Sequence, residues 1–257
     1  VAGTLHRPIK QSEIVAREIT DEIVSQALEE GTRLHNEREM LEKYRVGRST
    51  LREAMRLLES RGIVTVRAGR DGGPVVRRPK PSDLGESLTL LMQFNGIPFS
   101  ELFAARQALE PLLARMAASR ISATEVEELD SINAEMAENL DDRELFRSTN
   151  FRFHEVIANA SRSPVLELLS ASLEWGADGL AFGVVAGDFT TRQRRDVLTA
   201  HKELADALRA GDPDRAHDAM ASHLDDAHKA WLAAYRDLPL RPVQWASSLA
   251  IPARSRP

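Results

Sequence analysis

The chain has 257 residues, of which 42% are hydrophobic and 28% charged, with no cysteine and a formal net charge of −5. That length suits one large domain or two moderate ones with a real core, and the lack of cysteine excludes a disulfide framework and any thiolate metal site. No apolar run approaches the roughly 18 residues of a bilayer span and the N-terminus has no signal-peptide pattern, so a cytoplasmic protein is expected.

Residues 11–29 carry a helical pattern, with Ile14, Ile19, Ile23 and Leu28 among acids and Gly31 as its stop. Asn36 is placed to cap a second helix, with Glu39 completing a capping box and Met40 and Leu41 pointing inward. A third helix runs from after Gly47 to about Ser60 with Leu51, Met55 and Leu58 as its apolar stripe, and Gly62 ends it. Residues 63–66 and 74–76 are short strands around the glycine-containing turn 68–73. Three helices and a hairpin are the order of a winged helix-turn-helix, assigned to residues 1–76. The double-proline stretch 77–83 reads as a linker. Beyond it only helical patterns occur, at about 82–94, 99–119, 123–139, 142–160, 164–182, 190–210 and 213–236. The fold class is therefore mainly α: the winged helix, then an all-α antiparallel bundle over 84–238, then an irregular tail, 239–257, with four prolines.

The charge is unevenly spread. Residues 31–80 hold 13 Lys and Arg against 6 Asp and Glu, while residues 81–257 hold 18 against 27. A basic module on an acidic body points to a polyanion partner for the first part alone. On the third helix Arg48, Arg52 and Arg56 repeat every four residues opposite the apolar stripe, with Ser49 and Thr50 at the helix start. A recognition helix in a major groove needs this arrangement, and arginine can there grip guanine with two hydrogen bonds. Arg38 on the second helix, and Arg67, Gly69 and Arg70 in the wing, are placed to reach the same groove or its rim. A single arginine reads as a solvated surface group; three elements presenting arginine together read as a DNA-binding face.

In the helical remainder, Gly211-Asp212-Pro213 is a turn signal, with Gly at a helix C′, Asp at an N-cap and Pro at N1. His201 and His223 flank it at nearly equal distances, each roughly 15 Å away along its helix, so two antiparallel helices would hold them at one height. His201 belongs to the stripe Val197, Leu204, Leu208, and His223 to Ala216, Met220, Ala227. Asn150 and His154 share a helix face with Phe146, Phe153 and Ile157. Polar groups on apolar stripes must find partners when buried. One such histidine reads as a hydrogen-bonded core residue; Asn150, His154, His201 and His223 together read as a metal site, and such ligands suit a transition metal, zinc or nickel before others. His6, His35, His217 and His228 are read as surface residues. Arg106, on the stripe Leu102, Leu109, Leu113, is expected to face the interior, where its guanidinium needs a carboxylate: that of Glu110, four residues on, or that of a bound organic acid.

The run Glu37-Arg38-Glu39-Met40-Leu41-Glu42-Lys43-Tyr44-Arg45-Val46-Gly47-Arg48-Ser49-Thr50-Leu51-Arg52-Glu53-Ala54-Met55-Arg56-Leu57-Leu58-Glu59 resembles the GntR family of bacterial transcription regulators, over about 65 residues. The resemblance implies Arg38, Arg48, Ser49 and Arg52 as DNA contacts, with Gly69 in the wing. Gly47 departs from the Ser or Thr often found there, and Ala68 from the histidine some members place in the wing. Residues 82–236 resemble the FCD ligand-binding domain of the FadR-type branch through Arg106-x-x-x-Glu110, Asn150-x-x-Phe153-His154, His201 and His223. Metal-binding members carry Asp where Asn150 stands. A neutral carbonyl in its place raises the net charge of the ion and its ligands by one, which weakens metal retention and strengthens the pull on an anion; alternatively it abolishes the site and leaves a polar pocket.

The resulting expectation is a cytoplasmic, nucleoid-associated repressor, not an enzyme, that binds pseudo-palindromic double-stranded operator DNA as a homodimer. A small carboxylate effector held by Arg106, Glu110 and the metal would control it. The alternatives are a metal-responsive regulator and, more remotely, a metal-dependent hydrolase or lyase with Glu110 as base.

Overall fold

The structure, a computed structural model, describes residues 9–67, 72–177 and 190–234. The chain divides into two compact units, residues 1–83 and 84–257.

In the first unit α1 (Gln11–Ser25), α2 (Glu37–Tyr44) and α3 (Arg48–Ser60) precede an antiparallel pair, β1 (Val64–Arg67) and β2 (Gly73–Val76). Their shared core holds Val15, Ile19, Met40, Leu51, Ala54, Leu58, Val64 and Val76. α1 ends four residues before its apolar pattern does. Ala27 adopts a left-handed φ of 50° and the Leu28 amide donates back to the Ile23 carbonyl at 2.9 Å, so Leu28 still packs on the core from a C-capping turn. The Asn36–Glu39 capping box forms as the spacing predicts, each side chain accepting from the other's backbone amide at 3.0 Å. On α3 the buried row is Leu51, Ala54 and Leu58, and Met55 is half-buried at its edge. The hairpin registers Val64 opposite Val76 and Arg67 opposite Gly73. Residues 31–34 flank β2 on its other side: the Gly31 amide donates to Val76, Val76 to Thr32 and Leu34 to Pro74. The sequence reading missed this pairing, because the four residues Gly31-Thr32-Arg33-Leu34 are too few to show a period-2 signal.

α4 (Pro81–Phe94) starts in the expected linker with Pro81 at its first position and lies in the second unit from Leu84 onward; there follow α5 (Ser100–Ala118), α6 (Ala123–Glu138), α7 (Arg143–Ala160), α8 (Pro164–Ala177), α9 (Thr191–Arg209) and α10 (Pro213–Ala234). Helix starts match the periodic segments within one residue, and several carry their own caps: Ser122 with Glu125, Asp142, and Thr190 with Gln193. The expected extension of α8 to 182 and the tail 239–257 lie outside the described residues. Between α9 and α10, Gly211 takes φ 65° and the Asp212 side chain accepts from the Arg215 amide at 3.1 Å, so the two helices reverse as the turn signal predicts. α5, α7, α9 and α10 meet in a core of Ala114, Phe153, Ile157, Leu204, Leu208, Met220 and Leu224. Among the described residues no helix is long and apolar enough to cross a membrane.

Candidate functional site

On the first unit, burial of Leu51, Ala54 and Leu58 turns the opposite side of α3 outward. Arg48, Ser49, Arg52 and Arg56 are exposed there, Thr50 is half-buried, and Arg38 on α2 and Arg67 on β1 are exposed as well. Glu42 lies 3.3 Å from Arg38 and Glu37 lies 3.8 Å from Arg52. Both pairs are well exposed and therefore weak, so a phosphate or base edge can displace either acid. Gly47 caps α3 without a side-chain bond. The Glu59 side chain accepts from the Val66 amide at 3.0 Å and ties the helix to the wing. Ala68, Gly69 and Arg70 lie outside the described residues.

In the second unit three helices each deliver one histidine to one place: His154 from α7, His201 from α9 and His223 from α10. One ring nitrogen of each lies within 4.8 Å of the others, and all three rings are buried. The His201 and His223 rings, ten residues either side of the turn, have centroids 4.8 Å apart. His223 Nε2 is 3.2 Å from His154 Nε2. His201 lies flat on the Phe153 ring, with centroids 3.9 Å apart and planes 4° from parallel.

The surroundings keep two of these rings, His201 and His223, neutral. Burial, then the adjacent His154 ring, pushes the His223 pKa down to about 3 against the pull of Glu110. Burial, then His223 and His154, holds His201 well below the ordinary histidine range. Both ring nitrogens of His201 are buried with no hydrogen-bond partner among the described residues. Orphaned buried polar atoms of this kind are rare and costly. Two imidazole nitrogens each about 2.1 Å from one ion stand about 3.4 Å apart at a tetrahedral angle, close to the His154–His223 separation. The donor set and the orphaned nitrogens thus fit a borderline transition metal, and neutral imidazoles are the form that ligates.

Behind the triad α5 supplies a carboxylate. Glu110 takes the Arg106 guanidinium on one oxygen, and its other oxygen stands 2.8 Å from His154 Nδ1. Burial would raise the Glu110 pKa, but Arg106 and His154 hold it well below the usual carboxylate range. Glu110 does not line the cavity described next; it orients His154 from behind, so its geometry is not that expected of an effector contact. A carboxylate beside the far nitrogen of a histidine favours the tautomer whose Nε2 lone pair would be free to hold an ion.

A cavity of about 320 Å³ opens beside the triad, with His154, His223 and Arg106 in its wall. Asn150, one turn before His154 on α7, lines the same cavity and is half-buried, while the histidines are fully covered. Arg106 is paired with Glu110, as its i,i+4 spacing allows, and also lies 3.7 Å from Glu174 of α8. Glu174 is buried in the same wall and the sequence reading missed it. Its signal is an acid one turn after the buried Ser170, on the same face of the helix. His228, read as a surface residue, is half-buried and stacks on Phe103 at 5.0 Å because its side of α10 packs on α5. His217 pairs with Asp218 and His35 with Glu39, and His6 lies outside the described residues.

Comparison with known proteins bears on both units. Residues 11–71 match the profile of bacterial regulatory proteins, gntR family, and residues 101–226 that of the FCD domain. The chain is 28% identical over 225 residues to the HTH-type transcriptional repressor NanR of Edwardsiella tarda, covering 86% of this chain and 85% of the relative. It is 29% identical over 231 residues to NanR of an Enterobacter species, covering 87% and 86%. Among solved structures, Streptococcus agalactiae GntR superposes with a TM-score of 0.64 at 27% identity, over 85% of this chain and 99% of that one.

Proposed function

The chain belongs to the GntR family, its DNA-binding domain followed by an FCD domain, and from that premise we propose that it is a repressor controlled by a small organic acid bound beside a transition metal. The observation that carries this reading is the buried triad His154, His201 and His223, two of whose members, His154 and His223, line a cavity together with Arg106. The three imidazoles, with the Asn150 carbonyl as a fourth ligand, would hold zinc or nickel, and the ion would supply positive charge and open positions for a carboxylate. Because Asn150 is neutral, that charge is not offset by the protein. Arg106 would steady the acid from the cavity wall. Relatives named as repressors support that sign of control.

At the DNA, Arg48, Ser49, Thr50 and Arg52 would enter the major groove, with Arg38, Arg67 and Gly69 at its rim, and a homodimer would read two half-sites of a pseudo-palindromic operator in the cytoplasm. An effector releases DNA only by binding the two states of the protein differently. Glu110 argues against a metal-hydrolase reading, since a carboxylate held so acidic by Arg106 and His154 is a weak base.

Purification without chelator, followed by metal analysis and native mass spectrometry, tests the site. Operator titrations with metal buffered and organic acids added then test the control. We expect retained transition metal and acid-dependent loss of operator binding. Operator affinity indifferent to both metal and acids would overturn the reading, and dependence on metal alone would replace it with metal sensing.

A further inference from the structure

We propose that Glu174 selects the effector: the acid that this cavity takes carries an ammonium group as well as its carboxylate, and Glu174 receives the ammonium. The proposal rests on the reading of the cavity as the seat of an organic acid. Glu174 lies in the cavity wall on α8 and is only 4% exposed. Its carboxylate stands 3.7 Å from Arg106 Nη2, and Glu110 accepts from Arg106 Nε. One guanidinium is thus shared by two buried carboxylates, and one of those lines the cavity. A ligand carboxylate hydrogen-bonded to Arg106 Nη2 comes within about 7 Å of the Glu174 oxygen. Away from bulk water, like charges at that separation repel strongly. Glu174 has little room to withdraw, because α4 holds its turn of α8 in place. At Gly85 the two helices approach so closely that a Cβ would stand 2.8 Å from both the Ser172 carbonyl oxygen and Trp175 Cε3. The conflict is removed when the ligand brings its own positive group to Glu174.

The rest of the wall favours ammonium over a neutral donor such as a hydroxyl. Its charged side chains are of both signs: Arg106 and Arg147 on one hand, and Glu174, Asp196 and Asp226 on the other. A plain anion is attracted by only part of that lining, whereas a zwitterion is matched by both parts. Phe103, Phe146 and Phe151 line the same cavity. The faces of their rings carry negative potential and attract a cation but not a carboxylate. A hydroxyl could donate to Glu174, yet it would leave the two carboxylates facing one another unneutralised. An ammonium supplies both the hydrogen bond and the charge, and a charge-assisted bond is about twice as strong as a neutral one. At about 320 Å³ the cavity is at the small end for ligand sites, which suits an acid of amino-acid size.

Calorimetric titration of the full chain in zinc-containing buffer tests this with four probes on one six-carbon skeleton: hexanoate, 2-hydroxyhexanoate, 2-aminohexanoate and 6-aminohexanoate. The two amino acids place the ammonium near to the carboxylate and far from it. We expect the better of them to bind about 10-fold or more tighter than hexanoate and 2-hydroxyhexanoate. In Glu174→Gln, shown by circular dichroism to be folded, that preference should fall to within about three-fold, and Glu174→Asp should keep part of it. Comparing the probes on the natural chain needs no variant, so a misfolded Glu174→Gln leaves the test standing. Hexanoate or 2-hydroxyhexanoate binding as tightly as either amino acid would overturn the inference and leave the organic-acid reading intact. An amino preference that survives in Glu174→Gln would overturn the role of Glu174. Binding by none of the four probes would overturn both this inference and the organic-acid reading.

Discussion

Glu110→Gln probes the relay from Arg106 to His154 with almost no change in shape. The natural carboxylate accepts from Arg106 on one oxygen and stands 2.8 Å from His154 Nδ1 with the other, a charge contact that favours the proton on Nδ1. A glutamine that keeps its oxygen on Arg106 turns its NH₂ toward His154. Nδ1 must then accept, and the proton moves to Nε2, the nitrogen that faces His223 Nε2 at 3.2 Å. Flipping the amide instead sets NH₂ against the guanidinium. Either arrangement costs the ligand its lone pair or the relay a hydrogen bond. Such outer partners of a ligating histidine contribute about 10–100-fold in metal affinity, or about 1.4–2.7 kcal/mol. Competition against a chelator of known affinity, on protein shown by circular dichroism to be folded, measures this directly. Glu110→Asp, which keeps the charge on a shorter arm, should recover part of the loss. Metal affinity in Glu110→Gln within two-fold of the natural chain would refute the relay.

The metal-free protein should lose stability as pH falls from 7 to 5. The folded His223 has a pKa of about 3, and His201 is also lowered, against about 6.5 in an unfolded chain, so the unfolded state takes up protons that the folded one refuses. The slope approaches 1.4 kcal/mol per pH unit for each such histidine; equal denaturant midpoints at pH 7 and pH 5, with chelator present, would contradict it. Arg52→Ala should weaken operator binding by about 1–3 kcal/mol if Arg52 reads a base, and unchanged binding in an anisotropy titration would remove α3 from the groove. Gly85→Ala should destabilise the α4–α8 crossing by about 1–3 kcal/mol, because the new Cβ meets a backbone carbonyl and an indole that cannot both withdraw; thermal denaturation reads this.

Local chemistry made much of the architecture legible in advance. The Asn36–Glu39 box, the Gly211-Asp212-Pro213 reversal and the period of each long helix depend on residues within a turn or two of one another, so helix positions and the pairing of His201 with His223 could be argued from spacing. Where local and tertiary demands diverged, the reading slipped. Leu28 keeps helical phase but is held on the core by a left-handed Ala27, and residues 31–34 pair with β2 through backbone groups that carry no side-chain pattern.

The two-part plan, the arginine-bearing third helix and three histidines on inward stripes could all be read from the residues, since each follows from periodicity and charge along one element. What those residues face depends on how the helices pack. Packing turned Glu110 onto His154, brought Glu174 beside Arg106 and stacked His228 on Phe103. It also left α4 apolar outside as well as inside. Periodicity shows which side of a helix is buried; which neighbour buries it depends on contacts between residues tens of positions apart, and these exist only once the helices have packed.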